Sequence, residues 1–245
     1  MTSDENLRGT RLFDKLRQHA GLRRNSLLLL VLASFIVLLP FVQEDGFGEF
    51  IVRFGFSAVV VGGLYSASER RGTLVVAGVM AVLVLAVDWG SVLRKDPEFT
   101  ILRSGLSAAF IFLTAWVQIA HLGRKREVTA DTIMGAVNIY LLLIVAFMFL
   151  HTTLEIAKPG AYHIGDQTLT EYLMDPGADD TLAASTLIYF SITTFTTLGY
   201  GDILPVSSAA RVISGFEAIV GQLYVAIIVA RLVAMQISQR MQGRD

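Results

Sequence analysis

The stretch Thr196-Thr197-Leu198-Gly199-Tyr200-Gly201-Asp202 decides how this chain is read. Its glycines stand at alternate positions, 199 and 201, where the backbone can take angles that a side chain would obstruct. The flanks constrain it further. Before it, Thr181 to Thr196 is apolar, rich in β-branched residues, and too short to cross roughly 30 Å of hydrocarbon at about 1.5 Å per residue. After it, residues 207–236 are apolar over a length that does suffice. This order predicts a re-entrant helix that enters a membrane, stops halfway, and returns through the glycine-containing segment. Irregular backbone at such depth must line a water-filled or protein-lined cavity. An isolated Gly-Tyr-Gly would be an ordinary turn; between these two helices it is not.

Composition agrees with a membrane setting. Of 245 residues, 53% are apolar and 17% charged, and the mean hydropathy is +0.59. Six apolar stretches reach or approach spanning length, at 26–42, 50–67, 73–92, 100–120, 133–155 and 207–236. Fourteen Lys and Arg residues fall in connections on one side, against three (Arg94, Lys95, Lys158) on the other. Both termini are therefore expected on the cytoplasmic side. Pro40-Phe41-Val42-Gln43 offers no small-residue cleavage site, which argues against a signal peptide. Leu12, Phe13, Leu16 and Ala20 recur at helical spacing among basic residues and predict a short helix on the inner leaflet. There are no cysteines, hence no disulfides and no thiolate chemistry.

About fifty residues, Ile156 to Val206, separate the fifth and sixth stretches. Their first half is polar and acidic, with Pro159-Gly160 and Pro176-Gly177 turns, and reads as an extracellular turret. The plan is thus an amphipathic segment 1–25, a four-helix peripheral domain 26–121, a linker 122–132, a pore domain 133–237 and a tail 238–245. No soluble regulatory domain is expected after the last helix.

Residues 196–202 resemble the signature of potassium channels, whose usual filter is T-V-G-Y-G; Leu198 stands where valine is commonest. The resemblance covers about 105 residues, in the order outer helix, turret, pore helix, filter, inner helix. It implies an all-α integral membrane fold of six transmembrane helices with a re-entrant pore helix. It also implies that Thr197, Leu198, Gly199, Tyr200 and Gly201 form a selectivity filter, with K+ held at Thr197, Leu198, Gly199 and Tyr200 as the transported ion. Successive carbonyls and the Thr197 hydroxyl would replace the ion's hydration shell while Leu198 and Tyr200 brace the strand from behind. One chain supplies a quarter of such a ring, so a homotetramer with three identical partners follows.

Further expectations attach to the flanks. Gly221, twenty residues after Gly201, is where relatives place an inner-helix hinge; close helix packing is the alternative reading. With Gly221 facing the pore, Val225, Val229 and Val233 share its stripe and line an apolar cavity. Glu217 is a carboxylate inside a membrane helix and needs a partner, for which Thr193 or Thr194 is expected; an interfacial position near the outer surface is the competing view. Filter support falls to Thr193, Thr196, Asp202 and Glu217. Tyr189, Phe190 and Thr193 occupy places where many relatives carry tryptophans and a carboxylate or valine, which puts the usual hydrogen-bonded brace in doubt.

Six helices with a pore between the last two also resemble the voltage-gated cation channel architecture, but the fourth stretch holds only Arg103, near its outer end. Arg53 and Asp88 lie at similar depth, where they can pair, or Arg53 can snorkel to headgroups. His121 and His151 read as interfacial. The expectation is a multi-pass plasma-membrane channel that passes potassium passively, with weak voltage dependence, lipid neighbours, no cofactor and no nucleic-acid partner. A weakly selective cation channel or a non-conducting modulatory subunit remain alternatives. No paired carboxylates at metal spacing and no Ser-His arrangement point to an enzyme.

Overall fold

The computed structural model describes residues 25–41, 48–67, 71–94, 96–125, 127–173 and 180–242. The expected amphipathic helix around Leu12 to Ala20 and the end of the tail lie outside them. Eight helices and three short strands follow in order: α1 (Asn25–Phe41, closing in a 3-10 turn at Leu39–Phe41), α2 (Gly48–Ala67), α3 (Arg71–Gly90), α4 (Pro97–Leu122), α5 (Ala130–Ala157), β1 (Tyr162–Ile164), β2 (Gln167–Thr168), α6 (Leu169–Leu173), α7 (Asp180–Phe195), β3 (Ile203–Pro205) and α8 (Ser208–Gln242).

Among the described residues, four helices are long and apolar enough to cross a membrane: Gly72–Gly90, Pro97–Leu122, Ala130–Ala157 and Ser208–Met241. Asn25–Phe41, Phe50–Tyr65 and Leu182–Phe195 are shorter apolar helices. For α7 the shortness was expected, since it must stop before the loop at 196–202.

Local sequence explains the boundaries. Helix α5 begins at Thr129, whose hydroxyl accepts from the Thr132 amide while the Thr132 hydroxyl accepts from the Thr129 amide, a reciprocal capping box. Pro97 opens α4, where a missing N–H costs nothing. In the turret, Ile164 pairs with Gln167 across a two-residue turn whose first member, Gly165, has φ of 58°. That angle suits glycine and tightens β1 against β2. β1 also pairs antiparallel with β3, Tyr162 opposite Pro205, giving a sheet of order β2-β1-β3. This short sheet accompanies the mostly helical fold that the sequence led one to expect. It joins segments about forty residues apart, a distance over which periodicity in the chain carries no signal.

The core runs along α5, with Ile139, Leu142, Val145, Ala146 and Phe147 all buried. Its apolar stretch is 61% buried, against 6% for α8. Helix α4 lies along α5, while α7 packs on both α5 and α8. At one end the first helix is tied in by Asn25, whose side-chain amide donates to Asp131 Oδ1 at 2.8 Å and whose carbonyl accepts from Asn138. Arg231 of α8 donates to the carbonyls of Leu122 and Lys125, at 2.6 and 3.1 Å, where α4 ends. A cation there satisfies carbonyls that the helix cannot.

Among the peripheral helices, Arg53 is buried and does not snorkel. It donates to the Asp88 carbonyl and, at 2.8 Å, to Ser91 Oγ, with Asp88 Oδ1 at 3.6 Å. Arg103 reaches the same group, 4.0 Å from Asp88 Oδ1 and 3.4 Å from Ser91 Oγ. The fourth helix's arginine therefore shares a carboxylate with Arg53.

Candidate functional site

Helix α7 ends at Phe195, and the chain turns through 196–202 in a backbone with an unusual alternation. Thr197, Gly199 and Gly201 have φ of 60°, 55° and 79°, while Leu198 and Tyr200 do not enter the positive region. Alternating left- and right-handed residues turn successive peptide units the same way, so that N–H groups gather on one side and carbonyls on the other. The N–H side faces α7: Thr197 donates to the Thr194 carbonyl at 3.0 Å and Gly199 to the Thr193 carbonyl at 3.1 Å. Two glycines make the alternation cheap; Thr197, β-branched, holds its positive φ at a cost of about 1–3 kcal/mol. Its hydroxyl is engaged by the Thr196 carbonyl at 2.7 Å and by Gln222 Nε2 of α8 at 3.0 Å.

Residues 196–202 are all exposed in the single chain. Tyr200 stacks on Tyr189 of α7, with ring centroids 6.4 Å apart and planes 7° from parallel. The Tyr189 hydroxyl donates to Asp202 Oδ2 at 2.7 Å, and Asp202 Oδ1 accepts from the Ile203 amide. A brace between α7 and the loop at 196–202 is thus present, carried by the phenol of Tyr189. Thr193 contributes through its backbone carbonyl, since its hydroxyl bonds back to Phe190 in its own helix; Thr196 likewise bonds back to Ile192.

Gly221 lies against Phe195 of its own chain. A Cβ there would lie 2.1 Å from the Phe195 carbonyl oxygen and 3.0 Å from its carbon. The inner helix thus presses against the last turn of α7 at the one residue that permits it. The α8 residue facing the loop is Gln222. At about 100° per residue, Val229 and Val233 fall within about 20° of Gln222 and Val225 within about 60°. All three valines are about half exposed in the single chain.

Glu217 is fully buried, which removes the interfacial reading, and its partners are neither Thr193 nor Thr194. Its Oε2 lies 2.7 Å from His151 Nε2 and its Oε1 accepts from Ser191 at 2.5 Å. His151, expected at the interface, is also fully buried, with Nδ1 2.5 Å from the Tyr162 hydroxyl. The rings of His151, Tyr162 and Phe190 meet edge to face, with centroids 5.0 to 5.4 Å apart. Burial, with Glu217 and Glu155 nearby, pushes the Tyr162 hydroxyl up, so it stays a donor. Reading the sequence found Glu217 but missed Ser191, Tyr162 and Gln222; the available signal was a lone histidine within an otherwise apolar helix, as unexplained as the glutamate.

Residues 139–237 match the ion-channel family model. The match runs from Ile139 in α5 through the loop to Ile237 in α8, under half of the chain. That family is one of ion channels and not of enzymes. Comparisons with curated proteins and with solved structures give no match. Together with four helices able to cross a bilayer, the match supports a multi-pass membrane protein that conducts ions passively through a pore-loop domain.

Proposed function

We propose that the chain is one subunit of a potassium-selective homotetrameric channel of six spans, with Thr197 to Gly201 as filter. The observation that carries this reading is the positive φ at Thr197, Gly199 and Gly201, which gathers carbonyls on the side away from α7. Carbonyl oxygens at close quarters are the ligands that replace a potassium ion's water. One chain leaves that side open, and it leaves α8 with Val212, Phe216, Ile219 and Leu223 more than half exposed. Four copies around an axis would supply the rest of the ring and cover part of α8. Helices α1 and α2 would complete six spans, with both termini cytoplasmic and the turret sheet outside.

The deciding measurement is the reversal potential of purified protein in planar bilayers under sodium against potassium. A large shift favouring potassium is expected. Equal permeabilities would overturn the selectivity and leave a weakly selective cation channel. Absence of any current from purified protein would favour a modulatory subunit.

A further inference from the structure

We infer that Gln222 is a positioning residue of the ion path: its side-chain amide fixes the Thr197 hydroxyl and thereby sets how tightly the innermost ion is held. The inference rests on the reading of Thr197 to Gly201 as the filter and adds to it a residue from another helix. Between Glu217 and Arg231, Gln222 is the only amide or charged side chain. An amide near the middle of a membrane helix loses its water and must find polar partners or a wet cavity. Gln222 is exposed in the single chain, and its side chain has one hydrogen-bond partner among the described residues, Thr197 at 3.0 Å.

Its neighbours on α8 place it there. The Phe195 carbonyl oxygen would lie 2.1 Å from a Cβ at Gly221, so α8 makes its close approach to the end of α7 one residue before Gln222. Two residues after it, the Tyr224 hydroxyl donates to the Ala136 carbonyl of α5 at 2.6 Å. At about 100° per residue, positions 222 and 224 stand on nearly opposite faces of the helix. With Tyr224 turned to α5, Gln222 is left on the side of the loop.

Counting hydrogens at Thr197 gives the contact a direction. A hydroxyl has one hydrogen and two lone pairs. Here the hydrogen goes to the Thr196 carbonyl at 2.7 Å, and the Gln222 amide donates to one lone pair. The reverse arrangement, with the amide oxygen toward Thr197, would need the hydrogen already given to Thr196. One lone pair of the Thr197 oxygen is left for a cation. Thr196 cannot substitute, because its own hydroxyl donates to the Ile192 carbonyl within α7. Thr197 is also the first residue of the positive-φ alternation, at the end of the loop next to the middle of α8, whereas the other end leads through Asp202 into β3 and the turret. A cation arriving along α8 therefore meets an oxygen whose hydrogen is committed elsewhere. Without the Gln222 donor the hydroxyl is freer to rotate about its C–O bond and to present the positive end of its dipole, so the innermost position binds more weakly.

Calorimetric titration of the purified full-length protein with potassium chloride tests this without recording current, in detergent and with a bulky organic ammonium as the background cation. The parent protein should bind potassium. Gln222→Met keeps the length of the side chain and loses only the polar head, at an exposed position; its affinity should fall about two- to tenfold, the range that one neutral hydrogen bond is worth. In Thr197→Ala the hydroxyl is gone, and adding Gln222→Met to it should weaken binding no further. Gln222→Met at the parent's affinity overturns the inference, and a lower Tm in potassium-free buffer beside that unchanged affinity would reduce the contact to a structural pin. An additional loss in the double variant overturns the route through the hydroxyl. Should Thr197→Ala fail to fold, Gln222→Met against the parent decides alone. A parent protein that binds no potassium refutes the filter reading itself, and the role of Gln222 with it; a parent that binds while Gln222→Met is unaltered overturns only that role.

Discussion

Replacing Gly221 by alanine separates a hinge from a contact. A Cβ at 221 would sit 2.1 Å from the Phe195 carbonyl oxygen, about 1.3 Å inside the 3.4 Å at which ordinary contact begins. The obstacle is backbone, and the Phe195 ring lies 3.2 Å away on the same side, so no flexible side chain can move to make room. Either α8 shifts outward or the end of α7 moves, and with it Thr197. Overpacking of this kind costs about 1–3 kcal/mol, and here the upper end is expected because the strained atoms are main chain. Gly215 is the control: on the same helix, a Cβ there meets nothing within 4 Å, and alanine should be neutral or gain up to about 1 kcal/mol in helix propensity. Thermal unfolding in detergent and cation efflux from liposomes measure the two consequences. Gly221→Ala should lower Tm and reduce flux together, and Gly215→Ala neither. A Gly221→Ala protein with unchanged Tm but slowed opening would refute the packing argument in favour of a hinge.

Tyr189→Phe deletes the donor to Asp202 Oδ2 and leaves the stack on Tyr200; a hydrogen bond to a charged group is worth about 1.5–3 kcal/mol, so sustained current should decay faster, most of all at low external potassium, in patch recordings. Arg53→Gln removes the main partner of a carboxylate buried between α2 and α3, and should destabilise the solubilised protein by about 3–5 kcal/mol in thermal unfolding; an unchanged Tm would count against the buried cluster. Conductance in symmetrical potassium should depend weakly on voltage: a full charge crossing the field gains about 2.3 kcal/mol per 100 mV, and Arg103 of α4 is held at Asp88 and Ser91. A steep sigmoid that flattens in Arg103→Gln would overturn that expectation.

Much of this protein was legible along the chain because bilayers impose one-dimensional rules. Apolar runs long enough to span and a half-length helix before Gly199 and Gly201 are properties of consecutive residues, and they placed four helices of spanning length and the loop without any contact information. The loop's glycines announced positive φ by themselves. Whatever depends on which residues meet across helices was fixed only by the tertiary structure. His151 and Glu217 lie 66 residues apart, and either could have been interfacial as far as hydropathy tells. Nothing in the sequence tells that Gly221 abuts the Phe195 carbonyl, or that Gln222 and not its neighbour reaches Thr197. The turret sheet escaped because its strands are two or three residues long, too short for alternation to register. Period and length reside in the sequence; the rotation of one helix against another is set by which small residue permits the closest approach.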